Sequence, residues 1–161
     1  MCQHLKLITV LIGVISDTHG LLRPEALAAL QGSDRIIHAG DIGDPAILDR
    51  LAEIAPVTAV RGNVDREAWA KSIAETELLE VDGASIYILH ILENLDLQPK
   101  AAGIQAVIYG HSHVPKQELK DGVLYFNPGS AGPRRFQLPV SVGKLIVDAG
   151  KICSEIIQLL P

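Results

Sequence analysis

With 161 residues, 48% of them hydrophobic and 20% charged, the chain has the length of one domain and enough apolar side chains to bury a core, which excludes a disordered or collagen-like polymer. Nineteen acids against fourteen lysines and arginines leave a formal charge of −5. Such a surface lacks the basic excess needed to bind along a nucleic-acid backbone, and six aromatic residues are too few for a base-stacking platform. Cys2 and Cys153 stand at opposite ends with no CxxC spacing, so neither a disulfide framework nor a thiolate metal knot is expected, and the cytoplasm is the default compartment.

In chain order, the apolar run 7–15 follows Lys6 in the manner of a short signal peptide, but it is too short to span a bilayer and no small-residue cleavage site follows it. A buried first strand over 10–16 fits better, no membrane association is expected, and residues 1–9 are expected to be a poorly ordered or dispensable leader. Amphipathic and apolar stretches then alternate as helix 24–30, strand 35–39, helix 45–54 and strand 56–60. Asp44 before Pro45 supplies an N-cap followed by proline at the first helical position. Right-handed crossovers make the three strands parallel. The second half reads as antiparallel hairpins: 77–81 and 85–90 flank Asp82-Gly83, 117–120 and 123–126 flank Asp121-Gly122, and 142–147 precedes Ala149-Gly150. Between the first two hairpins a helix over 92–102 and a strand over 106–109 are predicted. No repeat or linker breaks the chain, so a single domain with mixed sheets covered by helices is expected.

Strand after strand ends in a short polar loop, carrying in turn Asp17 and His19, Gly40 and Asp41, Gly62 and Asn63, His90, and finally His111 and His113. In open α/β sheets ligands bind beyond the carboxyl ends of the strands, so loops far apart in sequence converge there. Taken singly, Asp17 and His19 read as a capped turn, Gly62-Asn63 as a left-handed turn and His90 as a rim histidine. His111-Ser-His113 is stronger, since two imidazoles at period two share a direction if the segment is extended. His4 and His38 are assigned structural roles, His38 as support behind the loop that follows it. Two Asp, one Asn and four His mix hard oxygen with imidazole, which suits first-row divalent ions. Seven ligands exceed one tetrahedral ion, whereas two ions sharing a carboxylate use them well.

In order, the chain offers Ser16-Asp17-Thr18-His19-Gly20, His38-Ala39-Gly40-Asp41, Arg61-Gly62-Asn63-Val64-Asp65, His90, Gly110-His111-Ser112-His113 and Asn127-Pro128-Gly129-Ser130. This series resembles the calcineurin-like metallophosphoesterases, and within them the small YfcE-like phosphodiesterase branch. The resemblance implies a four-layer α-β-β-α sandwich of two mixed sheets. It also implies two divalent metal ions per chain, manganese first among them with Fe, Ni, Co or Zn as alternatives. By the same resemblance Asp17, His19 and His113 hold one metal, Asn63, His90 and His111 the other, and Asp41 bridges them, the catalytic set being Asp41, Asn63 and His90. Two positions depart from the family pattern: Ile91 follows His90 where glycine is usual, and Val64 stands where larger relatives carry a histidine and the small branch often a cysteine.

The reaction so implied is hydrolysis of a small-molecule phosphoester, most often a diester, by a hydroxide bridging the metals. Asn63 is expected to ligate and to orient a phosphoryl oxygen, and Arg61 or Arg23 to clamp the non-reacting oxygens, an ion-pair role for Arg61 being equally open. The Asn127–Ser130 turn is expected beneath His111 and His113, with Arg134 and Arg135 on an exposed rim. Asp65 is expected to cap a helix starting at Arg66. The alternative implied by the same family is a non-catalytic, protein-binding scaffold like the retromer subunit. Whether the chain forms a homo-oligomer is left open.

Overall fold

A computed structural model describes residues 9–161. The expected leader, and with it Cys2 and His4, lies outside the described residues apart from Thr9.

The first half alternates as expected: β1 (Val10–Ile15), α1 (Pro24–Leu30), β2 (Arg35–His38), α2 (Pro45–Ala52) and β3 (Val57–Ala59). The Asp44 carboxylate accepts from the Ala46 N–H at 2.9 Å with Pro45 at the first helical position, which fixes the start of α2. Both helices bury an i, i+4 pair, Ala26 with Leu30 and Ile47 with Leu51. A short 3-10 helix, Ala68–Ser72, leads into β4 (Thr76–Val81), β5 (Ala84–Leu89), β6 (Ala106–Ile108), β7 (Lys116–Lys120), β8 (Val123–Asn127), β9 (Val140–Asp148) and β10 (Lys151–Leu160). All three hairpin turns have left-handed φ at both central residues: 45° and 82° at Asp82-Gly83, 52° and 79° at Asp121-Gly122, 48° and 83° at Ala149-Gly150. That is the geometry that matches strand twist, and Asp-Gly tolerates it best.

The strands form two five-stranded sheets, ordered β10-β9-β1-β2-β3 and β4-β5-β6-β8-β7. β1, β2 and β3 are parallel. The hairpins β4–β5, β7–β8 and β9–β10 are antiparallel, but β5, β6 and β8 run parallel to one another, so the second half is less uniformly antiparallel than its turns suggest. The chain returns from β5 to β6 and from β6 to β8 by crossovers that turn signals do not report.

Strand alternation separates three apolar layers. Ile12, Val14 and Ile37 from one sheet meet Ile86, Ile88, Ile108 and Phe126 from the other at zero exposure. The opposite faces of β1 and β2, with Ile15 and Ile36, pack under α1 and α2. The outer face of the second sheet carries Val107, Tyr109 and Val123 and is covered by Leu92, Leu95 and Leu97.

That cover is not the helix expected over 92–102. Only Leu92–Asn94 forms a single 3-10 turn, and irregular chain runs on to β6. Pro99 pushes Gln98 out of helical backbone, and what remains before it is too short to hold a helix. The architecture is therefore one α/β domain of two mixed sheets with few helices, helical on one outer face and largely irregular on the other.

Candidate metal centre

The loops leaving β1, β2, β3, β5 and β6 meet at one edge of the sandwich, and backbone hydrogen bonds knit them. Asp17 and His19 N–H donate to the Gly40 and Asp41 carbonyls, Gly110 N–H to that of His90, each at 3.0 Å. Asp17, His19, Asp41, His111 and His113 all have left-handed φ, between 45° and 70°. Non-glycine residues hold this conformation at a cost and cluster in it where a site demands it. The turn pulls each side chain off the strand direction and aims it at the neighbouring loop. His111-Ser-His113 is accordingly not extended, and its two imidazoles diverge to different partners instead of sharing a direction. Two glycines make the approach close enough: a Cβ on Gly40 would lie 2.6 Å from Nδ1 of His90, and one on Gly62 would collide with the Asp41 carboxylate.

Two ligand sets result, each with its donor atoms within 4.8 Å of one another: Asp17, His19 and His113, and Asp41, His90 and His111. In the first, His113 Nε2 lies 3.2 Å from Asp17 Oδ1 and 3.3 Å from His19 Nε2. In the second, His90 Nε2 lies 3.1 Å from Asp41 Oδ2, and Asn63 Oδ1 is 3.1 Å from His111 Nδ1. The sets adjoin, since Asp41 Oδ2 is also 3.7 Å from His19 Nε2. All seven residues expected from the sequence are thus gathered at one place.

Several of these buried atoms meet without hydrogen bonding. Asp17 Oδ1 and His90 Nε2, 3.8 Å apart, have no hydrogen-bond partner among the described residues; nor has His113 Nδ1, on the far side of a ring whose Nε2 faces Asp17. Leaving a buried carboxylate oxygen unsatisfied costs about 1–3 kcal/mol or more, so a cluster of such atoms converging on one point is the arrangement that a cation would satisfy. The donor set fits a divalent first-row ion.

Electrostatics already hold the ligands near the required state. Burial alone would raise the Asp17 carboxyl, but His113, His19 and the charge of His90 hold it far below the usual carboxylate range. His19 is raised by the adjacent Asp17 carboxylate. Burial lowers His90, but Asp41, Asp17 and the Ala39 carbonyl together outweigh it, with a net rise. A metal competes with protons for both imidazoles, so affinity should grow with pH.

Behind the ligands lies a second set of polar contacts. His38 is fully buried, and burial pushes its imidazole down to about 4. Its Nδ1 accepts the Gly40 N–H at 3.1 Å, which assigns the proton to Nε2 and the 2.9 Å contact to donation onto Thr18 Oγ1. The Thr18 hydroxyl in turn donates to the Ile42 carbonyl. The expected support role of His38 is what its contacts describe. The Asn127–Ser130 turn also sits where expected: Asn127 Nδ2 donates to the Gly110 carbonyl and to Ser112 Oγ, and Ser130 Oγ donates to the Asp17 carbonyl.

Asp65 is a correction. It caps no helix, since the next helical turn starts at Ala68 after Glu67. Its buried carboxylate accepts the N–H groups of Ile42, Gly43 and Gly62 at 3.0, 3.0 and 2.8 Å, which staples the Asp41 loop to the Asn63 loop. The sequence signal was its place in Gly62-Asn63-Val64-Asp65, a loop with N–H groups to satisfy; contrary to the left-handed turn expected at Gly62-Asn63, neither residue has positive φ. Of the expected clamp residues, Arg61 pairs with Glu75 at 3.1 Å and donates to the Ile73 carbonyl, and Arg23 donates to the Gly132 carbonyl. Arg134 and Arg135 are exposed, Arg134 donating to the Pro161 carbonyl. Val64 is half exposed at the mouth, and its N–H donates to Asp41 Oδ1.

A two-sheet sandwich with carboxylates and imidazoles gathered at the strand ends defines a metal-dependent hydrolase scaffold. Residues 10–150 match the calcineurin-like phosphoesterase superfamily domain, and the chain belongs to that family. It is 38% identical over 162 residues to the protein named "Probable metallophosphoesterase" of Methanothermobacter thermautotrophicus, covering 92% of each chain. It is 29% identical over 163 residues to the phosphodiesterase YfcE of Escherichia coli, covering 83% of this chain and 85% of that one. The fold also superposes on Vacuolar Protein Sorting 29 from Cryptosporidium parvum, with a TM-score of 0.80, 17% identity, and 94% and 92% of the two chains covered. Among the described residues no helix is long and apolar enough to cross a membrane.

Proposed function

We propose that the chain hydrolyses phosphodiesters with two divalent cations held at this edge, Asp17, His19 and His113 holding one, Asn63, His90 and His111 the other, and Asp41 shared. The observation that supports this most is the set of unsatisfied buried donor atoms shared between two adjoining ligand groups, with one oxygen of Asp41 within 3.7 Å of both His19 and His90. The chemistry that such a pair of cations supplies is an acidified water together with compensation of charge on the phosphoryl oxygens. Manganese is the ion to load first, with Fe, Ni, Co and Zn as alternatives suited to the same donors. Asn63 stands exposed beside His111, placed to ligate and to orient a phosphoryl oxygen. Arg61 would reach the substrate by leaving Glu75, an exposed pair that holds it weakly. We place the protein in a reducing compartment such as the cytoplasm, in keeping with the exposed free thiol of Cys153.

Expelling an alkoxide benefits from a general acid worth about 10²–10⁴ in rate, and the Val64 position offers none. Activated leaving groups should therefore be preferred. The test is metal analysis of reconstituted protein, followed by assay of aryl diesters against alkyl monoesters. Two ions per chain and faster turnover of aryl diesters support the reading. A protein that retains no divalent metal after reconstitution would favour the scaffold role, and alkyl monoesters cleaved as fast as aryl diesters would place a proton donor elsewhere.

A further inference from the structure

Beside the second ligand set lies a cavity of about 350 Å³, with Asn63 and His90 in its lining. Its walls come from the outer face of the second sheet, where Tyr87 stands, from Glu75 and Arg61 at the entry to β4, and from the irregular segment that supplies Ile91, Asn94 and Asp96. This segment begins at Ile91, directly after His90.

The charges on these walls are unbalanced. Besides His90 the ionisable groups are Glu75, Asp96, Arg61 and the Tyr87 phenol. Arg61 is engaged by Glu75 at 3.1 Å and by the Ile73 carbonyl. Asp96 makes no ion pair or hydrogen bond among the described residues, although a surface carboxylate finds a cation easily in a chain with fourteen of them. If Arg61 turns toward a phosphoryl oxygen it releases Glu75, so the acidic side chains outnumber Arg61 in either arrangement. An aromatic wall next to an unpaired carboxylate is the environment that recognises an organic ammonium group. It opposes a second phosphate, for which no free cation lines the cavity.

Building on the phosphodiesterase reading above, we propose that this cavity receives the second ester group of the substrate and selects an alcohol bearing an ammonium group over neutral or anionic ones, with Asp96 as a specificity-determining residue and Tyr87 as its aromatic wall. A substrate spanning the site would lay its phosphoryl group at Asn63 and His90 and its cation against Tyr87 and Asp96.

The experiment compares p-nitrophenylphosphorylcholine with its neutral isostere, 3,3-dimethylbutyl p-nitrophenyl phosphate, on the manganese-loaded protein. The pair differs only in the charge of the retained group. We expect kcat/KM to favour the choline ester by about tenfold, consistent with one desolvated cation–aromatic and carboxylate contact. Asp96→Asn should bring the ratio close to one, while Asp121→Asn, on a distant turn, should leave the ratio as it is. Equal kcat/KM for the two esters, or a preference that survives Asp96→Asn, overturns the proposal. Glycerophosphocholine titrated into the metal-free protein supplies a readout independent of turnover: amide shifts at Thr76, Tyr87, Asn94 and Asp96 support the cavity assignment, and their absence at millimolar ligand counts against it. Inactivity on both esters together with those shifts would fail the diesterase reading and leave the cavity assignment standing.

Discussion

The two ligand sets are made of similar side chains yet differ in depth and in how they are assembled. Asp17 and His113 are buried and His19 partly so, and all three lie on two short loops joined directly, the His111 N–H donating to Asp17 Oδ2 and Ser130 Oγ to the Asp17 carbonyl. In the other set Asp41 and His90 are buried but His111 and Asn63 face solvent, and its members come from four separate loops. A buried set fixed by contiguous backbone is preorganised by the fold. A set gathered from many loops depends on whatever holds those loops together, here Asp65. On the two-cation reading proposed above, the first set would hold its cation tightly and the second, next to the cavity, would exchange its cation more readily.

The sharpest way to break that comparison is at the shared carboxylate. Asp41→Asn should lower kcat/KM on bis(p-nitrophenyl) phosphate by at least about 10³-fold, the scale of removing a group that stabilises transition-state charge, with an unchanged circular dichroism spectrum. Activity within tenfold of the parent would remove Asp41 from between the sets. The next effect separates the halves. His113→Ala and His111→Ala should each cost more than the 10–100-fold in metal affinity typical of losing a group behind a ligand, but at different ions. Metal titration followed by calorimetry should show a deficit in the tighter class for His113→Ala and in the weaker class for His111→Ala, and identical losses would refute two distinct sites.

A third test concerns the histidine behind both halves. Burial lowers His38 from 6.5 to about 4. A histidine with a depressed folded value binds fewer protons folded than unfolded, so its neutral form leaves stability intact above about pH 6.5. Stability then falls as pH drops toward 4, by about 3 kcal/mol across that window. His19 and His90 are raised, and their contribution has the opposite sign, present at low pH and lost as pH rises through their folded values. In metal-free protein the imidazole NMR signals should separate accordingly, His38 still neutral at pH 5.5 while His19 and His90 are protonated. A His38 midpoint near 6.5 would contradict its burial as a neutral support.

Much of this was legible in the sequence, for reasons that also explain what was not. The strands and helices of the first half follow from apolar periodicity and the Asp44-Pro45 cap, and the hairpins from Asp-Gly turns that impose their own backbone. The ligand residues could be picked out because polar groups at the ends of apolar strands need an explanation. What failed depended on tertiary context. Leu92, Leu95 and Leu97 cover the outer face of a sheet from largely irregular chain, and the spacing of three between Leu92 and Leu95 imitates a helix. Period-two reasoning made His111 and His113 neighbours, whereas left-handed backbone at both sends them apart. Asp65 followed by a polar stretch resembles a helix cap, and only the folded loops reveal three N–H groups aimed at it from β2 and β3.

Asp65 therefore offers the finest test of how the two halves differ. Asparagine keeps the shape and one acceptor but turns an amide toward N–H groups that the carboxylate satisfied at 2.8 and 3.0 Å. Leaving one buried N–H unsatisfied costs about 1–3 kcal/mol, so Asp65→Asn should lower unfolding free energy in urea by that amount. The consequence should be local as well. The staple joins the Asp41 loop to the Asn63 loop and touches neither Asp17 nor His113, so the weaker class of metal binding should loosen while the tighter one stays near the parent value. Loss of stability with both classes weakened alike would mean that the two halves form a single cooperative unit. The difference in depth between them would then have no bearing on how each holds its ion.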